Sequence, residues 1–248
     1  MPDSMRGDAE GHPHQALWSF DLGGGISPWV GSVPPDIRRL RRARSIPSRS
    51  GAGHVPTWAY STTVGQHVRL ESGLEHDLFR DLDRDPAVTW LIAQPARIRS
   101  RIESKGPGAV PDLLSMTGEG DVTIWAVRPE PKQDEAFWEQ VIVAEAACAD
   151  FGWKHRVFAG MSTTRRTNLM WLDGYRNDMP WYQQAMEALL AEVGDVCTLA
   201  FIQEMDGGAG HILSAVWHAI RQGEIECHLD SPFTGSSELR FRSAEARG

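Results

Sequence analysis

The stretch PDLLSMTGEGDVTIWAVRPEPK, Pro111 to Lys132, has the form of a metal-dependent phosphodiester site with one part replaced. A Pro-Asp pair opens it, a Gly-containing turn follows, and an apolar strand runs into a basic residue. Such chemistry needs carboxylates, because Mg2+ takes hard oxygen ligands in octahedral geometry. The metal then activates water and stabilises charge on the phosphate. A compact solution uses a Glu on a preceding helix, an Asp entering a strand, and an acid two residues before a basic residue on the partner strand. Side chains two apart on a strand share a face, so acid and base both reach the metal. The candidates are Glu75, Asp112, position 126 and Arg128, with Glu71 as an additional acid one turn before Glu75. Position 126 is Ala, which has no oxygen to offer. The expected metal ligands are therefore Glu75 and Asp112, with Mg2+ or Mn2+ as cofactor if the site is active, and Arg128 on the phosphate. Glu130-Pro131-Lys132 is a second acid-x-Lys, but Pro131 should end the strand. Glu75 also has a plain structural role, because Ser72 followed by Glu75 makes a capping box.

The elements that must position these residues are legible in the pattern. Leu74, Leu78, Phe79 and Leu82 recur at helical spacing, and Asp85-Pro86 ends that helix. VTWLIAQPARIRSRI reads as a strand over Val88 to Ile92 and a second from Arg97. AVPDLLSM and DVTIWAVR read as strands joined by a turn at residues 117–120. A helix follows with Phe137, Val141, Ala144 and Cys148 on one face and Gly152 past its end. HRVFAG is a short strand. Residues 70–160 thus read as one helix, four strands, a second helix and a last strand, a mixed α/β unit. Beyond Gly160, RRTNLMWLDGYR, PWYQQAMEALLAEVG, DVCTLAFIQEM (capped by Asp195) and GHILSAVWHAIRQG read as helices. EIECHLD and SELRFR then make a two-stranded hairpin, and helices followed by a hairpin read as a winged helix. The organisation expected is a flexible arm over residues 1–50, an α/β domain over 51–160 and a winged-helix-like α+β domain over 161–248.

Composition narrows the partners. The net charge of −8 argues against whole-surface binding to nucleic acid but leaves room for a local basic patch. Arg38, Arg39, Arg41 and Arg42 in IRRLRRARS, with Arg97, Arg99 and Arg101, are the candidates for phosphate contact. The segment after residue 161 has few basic residues, which favours a protein-binding role for it. Three widely spaced Cys suggest neither a disulfide framework nor a zinc site, and point to a reducing cytoplasm. No apolar run is long enough for a membrane span, and the polar start does not resemble a signal peptide. Ten Trp against three Tyr are read as core or interface residues. The nine His show no ligand spacing.

Longer stretches carry a resemblance. HVRLESGLEHDLFRDLDRDPAVTWLIAQP, VPDLL, VRP, ACADFGWKHRVF, NLMWLDGYR and HILSAVWHAIRQGEIECHLDSPF resemble TnsA-like endonuclease subunits of heteromeric transposases, over roughly residues 54–245. The resemblance is to the actinobacterial branch. It implies a restriction-endonuclease-like (PD-(D/E)xK) core followed by a winged-helix-like domain. It implies DNA cleavage at the 5′ side of transposon ends, beside a partner transposase and an ATPase regulator. Under it the helix acid falls on Glu75, the strand acid on Asp112, the lost acid on Ala126 and the basic residue on Arg128. Two outcomes follow: an endonuclease with a degenerate site, or a DNA-binding and assembly subunit that keeps the nuclease fold without cutting.

Overall fold

The computed structural model describes residues 16–43, 57–100 and 108–241. In chain order the elements are β1 (Ala16–Asp21), β2 (Ile26–Pro28), β3 (Thr57–Ser61), β4 (Gln66–Leu70), α1 (Gly73–Asp83), β5 (Val88–Ala93), β6 (Ala96–Ser100), β7 (Leu113–Thr117), β8 (Val122–Val127), α2 (Glu135–Asp150) and β9 (Lys154–Phe158). Then come α3 (Thr163–Leu172), α4 (Tyr182–Glu192), β10 (Val196–Thr198), α5 (Leu199–Asp206), α6 (His211–Arg221), β11 (Ile225–Cys227) and β12 (Glu238–Phe241). The chain is mixed α/β. Its described residues fall into two compact units, neither of them one continuous stretch. The first holds 16–43, 92–100, 108–114 and 121–158; the second holds 57–91, 115–120 and 159–241. A four-stranded sheet runs β5-β7-β8-β9, and the division passes along the chain within β5 and β7. Among the described residues no helix is long and apolar enough to cross a membrane.

The first unit begins where the sequence suggested a flexible arm. Residues 16–43 are folded instead. β1 pairs antiparallel with β6, Trp18 opposite Ile98 and Phe20 opposite Ala96, and β2 lies on the other edge of β1. Ala16, Trp18 and Phe20 alternate into the interior, where Trp18 stacks on Phe20 at 5.3 Å and on Phe151 at 5.5 Å. Period-two alternation is a strand signal, and the Gly and Arg content around it masked that signal. The Trp18 indole N–H donates to the Ala147 carbonyl at 3.2 Å, which ties β1 to α2. Of residues 1–16, expected to be disordered, Ala16 opens β1, while residues 1–15 and Arg44 lie outside the described residues.

α2 starts where Asp134 accepts the Phe137 N–H at 2.9 Å. It buries Phe137, Val141, Ala144, Ala147 and Cys148. It is the crossover that a parallel pair requires, since β8 and β9 run parallel with Ile124 beside His155 and Ala126 beside Val157.

In the second unit the C-terminal helices and sheet pack around Leu172, Leu189, Ile202, Ala215, Ile220 and Leu239, and the β3–β4 hairpin and α1 belong to the same unit. The expected boundary at residue 161 does not separate the units, because α1 is held to the C-terminal segment. Arg221, itself buried, pairs with buried Asp83 at 2.7 Å; Arg165 pairs with Asp81 at 2.7 Å and Arg80 with Asp173 at 2.8 Å. Two local expectations also change. Val196–Thr198 is a strand rather than part of a helix, so the C-terminal sheet has three strands in the order β10-β12-β11. The cap of α5 is Thr198, which accepts the Phe201 N–H, and not Asp195. Val196 and Thr198 are β-branched and prefer the extended backbone. The tryptophans divide: Trp18, Trp153 and Trp217 are buried, while Trp58, Trp138, Trp171 and Trp181 stay exposed.

Candidate functional site

Asp112 stands at the start of β7, where its backbone is held on both sides. Its N–H donates to the Trp125 carbonyl at 2.9 Å, and its carbonyl accepts the Gln94 N–H at 2.9 Å. Its side chain turns toward β8, and Oδ2 accepts the Val127 N–H at 2.6 Å. Arg128 follows β8 and is anchored by its own N–H to the Phe158 carbonyl at 3.0 Å. Its guanidinium lies over the Phe137 ring, 5.3 Å from the centroid.

Asp112, Ala126 and Arg128 line one cavity of about 480 Å3 within the first unit, together with Arg97, Arg99 and His155. Arg97 and Arg99 are two apart on β6 and share a face, while Ala96 and Ile98 on the other face are fully buried. Among the described residues no carboxylate pairs with Arg97, Arg99 or Arg128. Gly108 also lines the cavity, and a Cβ there would lie 2.7 Å from the Ile98 carbonyl and 2.8 Å from Arg99 Cγ. Only glycine lets the backbone approach Arg99 this closely.

His155 is the lining residue that the sequence did not single out. Its side chain is 3% exposed. Among the described residues its Nδ1 has no hydrogen-bond partner, and Glu145 Oε1 at 3.9 Å is beyond bonding range. Burial holds the ring below its ordinary value of 6.5. The available signal was the alternation in KHRVF, where His155 and Val157 fall on the side of the strand that turns away from solvent.

Glu75 and Glu71 belong to the second unit and do not line this cavity. Glu75 is buried and engaged locally. Oε2 accepts the Glu71 N–H at 2.9 Å, Oε1 accepts the Ser72 hydroxyl at 3.0 Å, and its own N–H donates to Ser72 Oγ at 3.1 Å. That is the capping box in full. Of the other basic candidates, Arg38, Arg39 and Arg41 are exposed, Arg42 donates to Gln94 Oε1 at 2.9 Å, and Arg101 lies outside the described residues.

The lining does not fit a hard divalent cation. Among the described lining residues the one carboxylate already accepts a backbone N–H, and three guanidiniums stand around the same space. Among the described residues no group of three or more His, Cys, Asp and Glu is placed to hold a metal ion. What the arrangement can do is bind an anion, since guanidinium is always charged and presents a planar fork of donors. No protein-family model matches the chain, and comparison with curated proteins finds no match.

Proposed function

We propose that this chain is a DNA-binding subunit of a TnsA-like transposition assembly, built on a restriction-endonuclease-like core without metal-dependent cleavage. The observation that carries this is the cavity at Asp112. Among the described residues it gathers three guanidiniums without a carboxylate partner, beside one carboxylate, at the place where the resemblance puts a metal. The core reading is supported by the order α1, β5, β6, β7, β8, α2, β9, in which β6 joins β1 in another sheet, with sheet order β5-β7-β8-β9 and a parallel β8–β9 pair. The winged-helix reading is supported by the order α4, β10, α5, α6, β11, β12 and the sheet β10-β12-β11.

In a helix-turn-helix the second helix enters the major groove. Here that helix is α6, and residues 215–221 of it are buried within the second unit. Only its first turn, His211 to Ser214, is open to solvent, and that turn carries no Arg or Lys for phosphate contact. The second unit therefore serves contact with the partner transposase, and phosphate contact falls to Arg97, Arg99 and Arg128.

The test is duplex binding followed by fluorescence anisotropy across a salt series. Replacing Arg97, Arg99 or Arg128 by Ala should weaken binding for all sequences and lower the salt slope by about one each. Calorimetry with Mn2+ should give no heat for the native chain and a binding heat for Ala126→Asp. Mn2+-dependent strand cleavage that Asp112→Ala removes would overturn the loss of cleavage. Undetectable duplex binding would overturn the reading as a whole.

A further inference from the structure

The cavity at Asp112 is specific enough to name its ligand, and this step rests on the DNA-binding reading. We infer that it takes the terminal phosphate monoester of a nucleic-acid end, not an internal phosphodiester and not a metal ion. The charge is the first argument. Among the described lining residues, three guanidiniums less one carboxylate leave two positive charges around about 480 Å3. An internal phosphodiester carries one negative charge. A terminal monoester carries about 1.5 to 2 at neutral pH, with three strong acceptor oxygens.

The second argument is preorganisation. Arg97 and Arg99 project from one face of a paired strand, Arg128 rests on the Phe137 ring, and Arg99 is backed by Gly108. Side chains held this way lose less freedom when they bind. The third is His155. A ring whose side chain is 97% shielded, with a nitrogen lacking a partner among the described residues, is a polar group whose burial those residues do not compensate. It lines the cavity, as do Gln140 and the apolar Val141 and Ala144. A phosphate oxygen supplies what that environment lacks.

The experiment uses the full chain and three short duplexes, with a 5′-phosphate, a 3′-phosphate or hydroxyl-only ends. Anisotropy measures the duplexes, and calorimetry measures inorganic phosphate alone. One phosphorylated end should bind roughly tenfold tighter than the hydroxyl end, the worth of one or two charge-assisted hydrogen bonds. Inorganic phosphate should erase that preference. Arg99→Ala should abolish it too, and Arg99 is exposed, so the fold should survive; circular dichroism checks this. Equal affinity for all three duplexes overturns the terminal-phosphate assignment and leaves the DNA-binding reading standing. Phosphate binding without any duplex binding overturns the nucleic-acid ligand and the DNA-binding reading together. A preference that survives in Arg99→Ala overturns the assignment to this cavity.

Discussion

Single residues in this chain separate charges that hold the fold from charges that face a ligand. Asp83 holds the fold. Its carboxylate takes the Arg221 guanidinium at 2.7 Å and N–H and O–H groups of Ser61, Thr62 and Thr63, with the side chains of both ion-pair partners almost fully buried. Removing one partner of such a pair leaves a buried charge uncompensated. Asp83→Ala should cost about 3–5 kcal/mol, read from urea unfolding. Asp83→Ala with Arg221→Met should cost less than Asp83→Ala alone.

The same residues set the response to pH. Burial pushes the Asp83 carboxyl up, but hydrogen bonds from Ser61 and Arg221 and the Arg221 charge outweigh it, so it sits below its ordinary value of 3.8. Its stabilisation is fully present above that value and is lost as pH falls through the folded value. His155, lowered by burial, and His76, lowered by burial and then by Arg80, act earlier. The folded chain binds these protons less tightly than the unfolded chain. Stability should therefore begin to fall as pH drops below 6.5, before Asp83 titrates. Thermal unfolding across that range checks this, and His155→Gln should remove part of the slope.

At the scale of elements, α6 is the informative case. Its sequence is strongly amphipathic, yet Val216, Trp217, Ala219 and Ile220 are all buried, as are His218 and Arg221. Trp217 meets Trp171, Tyr175 and Phe233 at centroid distances of 6.1, 6.3 and 4.9 Å. Asp206 at the end of α5 accepts the N–H groups of Gly210, Ile212 and Leu213, which caps α6 from the preceding helix. A helix placed so is a structural centre. Trp217→Ala should destabilise by about 3–5 kcal/mol. The affinity of the remaining folded protein for duplex DNA should not change, whereas a groove-reading helix would lose binding.

At the scale of the whole chain, the two units do not follow the sequence boundary at residue 161. α1 and the β3–β4 hairpin cluster with the C-terminal helices, held by the pairs Arg221–Asp83, Arg165–Asp81, Arg80–Asp173 and Arg166–Asp77. A fragment limited to residues 51–160 loses every one of those partners. Its α1 amides should exchange with solvent far faster than in the full chain, as hydrogen exchange followed by mass spectrometry would read. Protection equal to that of the full chain would mean that α1 does not depend on the C-terminal segment.

Local order was legible in the sequence because it rests on local rules. The Ser72–Glu75 capping box, the 3.6-residue periodicity of α1 and α2, the turn at 117–120 and the strands around Asp112 all depend on neighbours a few residues apart. The clustering of Asp112, Ala126 and Arg128 followed from the same logic, since a turn joins their two strands. The tertiary structure alone decided the rest. That Trp18 and Phe20 are core, that Arg97, Arg99 and His155 share a cavity with Asp112, and that Asp83 requires Arg221 all depend on pairings over long sequence separations. A strand's partner and a charge's counterion are chosen by packing. Side-chain type and spacing constrain that choice without specifying it, because burial and register are properties of the assembled fold.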